Sequence, residues 1–331
     1  MRPSSGDCSF LAGGRSRSWN GRQDRPLVLH YITEQGADGV ETAGEQRVPE
    51  QAGGGVREAA ARRPGKEVVI DVRGVVWERD GRRILDHVDW TVRQGEHWAL
   101  LGRNGSGKTT LLSMITGYIW PMRGRVSVLG HRYGTVDLRE LRRRIGWVSS
   151  ALQERVHPRE VAGNLVVSGL HAATGLFRPA APEHKAKALE IMETLGCAHV
   201  ARREYRTCSH GEKQMLLIAR ALMASPELLI LDEPCTGLDF VARQGLLDGV
   251  AALARRADAP TILYVTHHVE EIFPELTHAL LLRDGRVVAR GLAREVLTAE
   301  RLSDMYGVPV TVHRHYGRTW LTLAEPGLPG E

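Results

Sequence analysis

Beyond residue 66 the chain is a succession of short apolar blocks, each closed by a turn signal. Residues 67–77 and 82–92 read as strands, and the Asp80-Gly81 pair between them is a hairpin turn. Residues 98–101 form a strand-sized apolar run that ends in a glycine-rich turn, after which residues 108–116 take on helical character. Trp147-Val148, residues 228–231 and residues 261–265 are further buried-strand blocks with helix-like segments between them. Strands alternating with helices predict an α/β fold with a mostly parallel sheet. Residues from about 158 to 206 break that rhythm with a mostly helical pattern, including 184–195, and read as a helical insertion. Near the end a hairpin turns at Asp284-Gly285, a helix runs from about Arg294 to Tyr306, and a last hairpin turns at Tyr316-Gly317.

Residues 1–65 have a different texture. They are rich in Gly, Arg, Ser, Glu and Gln, include Gly53-Gly54-Gly55, and offer one strand-like stretch at 27–32. So little apolar content does not offset the entropy of ordering, so the expectation is a disordered extension, or the product of a start site set too far upstream. The folded region is then 66–325, with a short tail at 326–331.

Charge and cysteine content narrow the setting. The net charge of +5 is spread among mixed acids and bases, which describes a solvated surface and predicts no direct nucleic-acid binding. No run approaches the roughly 18 apolar residues that cross a bilayer, and no basic-then-apolar leader opens the chain. Any membrane role is therefore expected through a partner. The four cysteines, Cys8, Cys197, Cys208 and Cys235, have neither metal-site nor disulfide-framework spacing, which fits a reducing cytoplasm.

Two motifs carry chemistry. Gly102-Arg103-Asn104-Gly105-Ser106-Gly107-Lys108-Thr109 matches GxxxxGK[ST] between a strand and a helix, and Thr110 continues it. Glycines let successive amides turn inward on phosphate oxygens, and the helix that follows adds its positive end. Lys108 can reach the β and γ phosphates, and the Thr109 hydroxyl can ligate Mg²⁺. The second motif is the apolar strand 228–231 ending in Asp232-Glu233. Asp232 suits a Mg²⁺ contact, and Glu233 can orient and polarise an attacking water.

These motifs resemble the ABC ATPase family over roughly residues 67–323. The resemblance implies ATP as substrate, Mg²⁺ as cofactor, and a RecA-like P-loop NTPase core with an N-terminal antiparallel β subdomain and a helical subdomain at about 151–212. Cys208-Ser209-His210-Gly211-Glu212 stands where the family has LSGGQ, so Ser209 and Gly211 are expected to meet the γ-phosphate of ATP held by a second subunit. Thr236-Gly237-Leu238-Asp239 resembles the D-loop, with Asp239 at a dimer interface, and Val265-Thr266-His267-His268 resembles the switch region. His267 is the expected γ-phosphate contact, with His268 next in line.

Two positions depart from the family. Ser150 stands in place of the Q-loop glutamine, and its short hydroxyl reaches Mg²⁺ only through water; Gln153, three residues on, is the alternative. The adenine-stacking tyrosine position falls on Arg79, with Trp77 two residues earlier on the same strand face. Either the guanidinium or the indole stacks on the base, or Trp77 is a core residue.

One phosphate loop and one signature per chain imply a dimer, with itself or a related ATPase, enclosing two composite sites. The reading that follows is an ATPase energising a membrane transporter through a separate permease, on the inner face of the cell membrane. The alternatives are a soluble ABC ATPase acting on DNA, the ribosome or another complex, and a phosphate-loop kinase or GTPase. The first lacks a long coiled coil or second nucleotide domain here; the second leaves Ser209, Asp239 and His267 unexplained.

Overall fold

The computed structural model describes residues 67–176 and 178–324. The expected N-terminal extension, the strand-like stretch at 27–32 and the tail at 326–331 lie outside the described residues.

The elements run in the order β1 (Val68–Arg79), β2 (Arg82–Arg93), β3 (Trp98–Leu101), α1 (Lys108–Ile115), β4 (Arg123–Val128), β5 (His131–Arg132), α2 (Leu138–Arg143), β6 (Ile145–Val148), α3 (Ala162–Val167) and α4 (Pro182–Thr194). They continue through α5 (His210–Met223), β7 (Leu228–Asp232), α6 (Phe240–Ala254), β8 (Thr261–Thr266), β9 (His278–Arg283), β10 (Arg286–Leu292), α7 (Ala293–Val296), α8 (Ala299–Tyr306), β11 (Val310–His315) and β12 (Arg318–Leu323).

A six-stranded sheet ordered β10-β9-β3-β8-β7-β6 divides the molecule. Only β10 runs antiparallel to its neighbour; β9, β3, β8, β7 and β6 are parallel. Strand side chains alternate between faces, so each central strand feeds two cores. Ala99, Leu101, Leu229, Leu231, Ile262 and Tyr264 pack with the helices α3, α4, α5 and α6. Trp98, Leu100, Leu228, Ile230, Leu263 and Val265 pack instead with α1 and the strands β1, β2 and β4. This two-sided burial is why these strands read as unbroken apolar runs rather than as alternating ones.

The second sheet is antiparallel, ordered β2-β1-β4-β5. Its inner residues Ile70, Val72, Leu85, Val88 and Trp90 are buried against the main sheet, where Trp90 meets Trp98 edge-on at 5.5 Å. The expected mostly parallel α/β fold with an antiparallel β part and helices is thus present. One element differs in detail: the single C-terminal helix divides into α7 and α8. Thr298 starts a new helix there, its hydroxyl accepting from the Arg301 amide at 3.4 Å, and Leu297 is buried just before it.

Among the described residues no helix is long and apolar enough to cross a membrane.

Candidate functional site

The C-terminal edge of a parallel sheet is where backbone turns from strand to loop and where ligands gather. Three adjacent strands deliver the candidate residues there. β3 leads into the phosphate loop, β7 ends at Asp232-Glu233, and β8, which lies between them, leads into His267. Leu101 aligns with Thr266, and Asp232 aligns with Val265, so the three strand ends stand in one row.

The phosphate loop is held open by glycine. A side chain at Gly102 would strike the Leu282 carbonyl and the Ser106 hydroxyl, each at 2.5 Å. Gly107 caps α1 at φ 103°, a left-handed conformation that side chains disfavour, and its backbone lies against Ile84 and Leu85 of β2. The β9–β10 turn braces the loop: the Gly285 amide donates to the Ser106 carbonyl at 2.9 Å. Lys108 is 6% exposed, and its ammonium donates to the carbonyls of Gly102 at 2.8 Å and Arg103 at 3.3 Å. Thr109 is exposed and Thr110 partly so at the start of α1, while Arg103, Asn104 and Gly105 form the exposed rim of the loop.

The carboxylates meet that lysine. Glu233 Oε1 lies 3.2 Å from Lys108 Nζ and 3.3 Å from His267 Nδ1. Glu233 takes a left-handed φ of 49°, rare for a side chain of this size, held by its amide donating to the Val265 carbonyl at 2.9 Å. The turn aims the carboxylate across β8 rather than along β7. Burial, reinforced by the neighbouring Glu233 charge and only partly offset by Lys108, pushes the Asp232 carboxyl up to about 6. The structure therefore brings Lys108, Asp232, Glu233 and His267 together.

The fit to a magnesium nucleotide is visible in what these groups lack. The Ser106 hydroxyl and His267 Nδ1 are buried without a hydrogen-bond partner; the Glu233 contact is poorly aligned for one. Two neighbouring carboxylates, one held up by burial, form a donor set that a hard cation would relieve. The residues fit the group.

The other expected positions lie around this centre. Ser209 caps α5 in a reciprocal box: its hydroxyl accepts from the Glu212 amide at 3.2 Å, and Glu212 Oε2 accepts from the Ser209 amide at 2.6 Å. Burial pushes the Glu212 carboxyl up, but hydrogen bonds from the Ser209 amide and His199 outweigh it and hold it below its ordinary value. Gly211 is buried against Ala242, where a side chain would come within 2.9 Å of that methyl. Asp239 caps α6 through the Ala242 amide at 2.8 Å, and beside it Phe240 and Val241 are 72% and 77% exposed.

Ser150 is exposed at the start of a 3₁₀ turn spanning Ser150–Arg155. The Gln153 amide is engaged elsewhere, donating to Gln214 Oε1 of α5 at 2.6 Å. Trp77 is half-buried opposite Leu85, the residue against Gly107, and packs on the β-subdomain core. Arg79 is exposed and lies 3.5 Å from Asp80. Tyr306 carries no motif, yet its hydroxyl donates to the His267 carbonyl at 3.0 Å. Nothing local in the sequence marks it.

Comparison with known proteins identifies the family and the fold. The sequence profile of the ABC transporter family matches residues 85–236. The uncharacterized ABC transporter ATP-binding protein YlmA of Bacillus subtilis is 47% identical over 260 residues, which are 78% of this chain and 98% of that protein. An ABC transporter ATP-binding cassette solved in its ADP conformation superposes with a TM-score of 0.62 at 24% identity, covering 72% of this chain and 98% of the cassette. A bacterial ABC transporter cassette solved as a dimer gives 0.57 at 24% identity, covering 68% and 98%. The chain is thus an ATP-hydrolysing enzyme and belongs to the ABC transporter ATP-binding proteins.

Proposed function

We propose that the chain is the energising subunit of a membrane transporter, working as a dimer of ATPase domains docked to a separate permease on the cytoplasmic face of the membrane. The observation that carries the catalytic part is the position of Glu233 Oε1, within 3.3 Å of both Lys108 and His267.

ATP lies on the loop amides of Gly105, Ser106, Gly107 and Lys108, with Arg103 and Asn104 at its rim and Trp77 or Arg79 beside the base. Mg²⁺ supplies charge neutralisation to the triphosphate, and Thr109, Asp232 and Ser150 would hold it, Ser150 through water. Lys108 stabilises the charge on the γ-phosphoryl oxygens. Glu233 orients a water and takes its proton as the water oxygen bonds to the γ-phosphorus. The bond from that phosphorus to the bridging oxygen breaks and ADP leaves. His267 keeps the γ-phosphate and the water in line. Orientation and electrostatics supply most of the acceleration in such transfers.

Support for the dimer comes from Ser209 and His210, exposed at the start of α5, and from Phe240 and Val241, exposed beside Asp239. Ser209 and Gly211 of one subunit then close over the ATP of the other. Support for the permease is that the relatives are named as transporter ATP-binding proteins, while no described helix here crosses a membrane.

Co-purification tests the reading. The tagged chain from its native cells should bring down a multi-spanning membrane protein and release phosphate from ATP only with Mg²⁺. A wholly soluble ATPase with no such companion overturns the transport assignment.

A further inference from the structure

The catalytic edge is gripped by one residue from the C-terminal region. Tyr306 ends α8, which Leu302 and Met305 anchor in the core. Its hydroxyl donates to the His267 carbonyl at 3.0 Å, and its own carbonyl accepts from Arg103 Nη1 of the phosphate loop at 3.2 Å. The last carbonyls of a helix lack intrahelical partners and carry its negative end, so a guanidinium is a fitting companion. Arg283, just before the turn that braces the phosphate loop, pairs with Asp304 of the same helix end at 2.9 Å.

The opposite side of the same peptide is also held. The His268 amide, which shares its plane with the His267 carbonyl, donates to Thr266 Oγ1 at 3.0 Å. Thr266 Oγ1 in turn donates to the buried Glu271 at 2.7 Å. The peptide joining His267 to His268 is therefore fixed at its oxygen by Tyr306 and at its nitrogen by Thr266. Fixing that plane fixes the backbone from which the His267 ring reaches to 3.3 Å from Glu233.

We infer that Tyr306 is a positioning residue for ATP hydrolysis, setting the distance between the phosphate loop and the switch histidine through its carbonyl and its hydroxyl. The inference rests on the assignment of His267 proposed above. Burial pushes the phenol up to about 12, so it remains a donor at neutral pH.

The test is steady-state ATP hydrolysis by full-length Tyr306→Phe, which keeps the ring and removes the donor, with His267→Ala alongside. Misplacing a reacting group by about 1 Å costs up to roughly a hundredfold, so a partial loosening is expected to lower kcat by about tenfold. KM for ATP should stay within about twofold, because the phosphate contacts survive. The shape of the pH profile should not change. Wild-type kcat in Tyr306→Phe, with His267→Ala inactive, overturns the positioning role alone. Wild-type kcat in His267→Ala overturns the site assignment and this inference with it. A loss in Tyr306→Phe that only tracks a loss of folded protein, read by thermal unfolding of the same sample, makes the hydroxyl structural and also overturns it.

Discussion

The phosphate loop and the Ser209 loop both lead into helices, and both are expected to face the same phosphate, yet they end in opposite states of satisfaction. Gly107 caps α1 with no side-chain hydrogen bond, and no acid stands in the first turn. The Ser106 hydroxyl there has no partner, although the Ser106 amide donates to the Arg103 carbonyl at 3.1 Å. At α5 the reciprocal box of Ser209 and Glu212 satisfies those two amides, and an acid sits in the first turn. A free helix start attracts phosphate; a capped one with a carboxylate beside it does not. On the proposed assignment the first loop is the receptor for nucleotide. The other already has its Ser209 and Glu212 amides satisfied within the chain. That asymmetry suits a subunit that binds ATP alone and closes on a partner afterwards.

The sharpest way to break this comparison is at the chemistry itself. Glu233→Gln keeps the shape but removes the proton acceptor, and kcat for phosphate release should fall about a thousandfold. ATP should then accumulate on a dimer, visible by size-exclusion chromatography. Next comes Lys108→Ala, which removes a charged donor from the receptor loop. Nucleotide affinity should weaken by roughly a hundredfold in a direct binding titration, since a charged hydrogen bond is worth about 1.5–3 kcal/mol.

A third substitution separates binding from stability. The Asp232 carboxyl, raised to about 6, favours the unfolded state whenever it is ionised. Asp232→Asn should therefore stabilise the nucleotide-free protein by roughly 1–3 kcal/mol at pH 7.5 while abolishing Mg²⁺-dependent hydrolysis. The gain in unfolding midpoint should be full well above pH 6, shrink as the pH falls through 6, and vanish below about 3.8, where the wild-type carboxyl is protonated in both states. The mildest effect belongs to the capped loop. Ser209→Ala should lower kcat by about tenfold and stability by about 1 kcal/mol, yet leave ATP binding to the monomer unchanged. Weakened monomer binding would place Ser209 at its own chain's nucleotide and undo the contrast.

Sequence made the receptor loop legible because its chemistry is local: eight consecutive residues carry the glycines, the lysine and the hydroxyl. The buried strands were equally plain, since two-sided burial writes an unbroken apolar run. β4 was harder to read, because Arg123 and Arg125 are exposed along its outer side and interrupt the apolar pattern. Gln153 could be nominated as a substitute for the Q-loop glutamine, but its engagement with Gln214 spans 61 positions and depends on packing that no pattern encodes. Tyr306 is the extreme case. Its partners Arg103 and His267 lie 203 and 39 positions away, so only the folded chain reveals the grip.

The Glu233 oxygen stands between an ammonium and an imidazole, and that has a consequence for idle turnover. The group that would activate water is paired with the lysine that would receive phosphate. On the proposed assignment, an incoming γ-phosphate would compete for that lysine, and the carboxylate it displaces would become available to water at the moment there is something to cleave. Loading and arming become the same event.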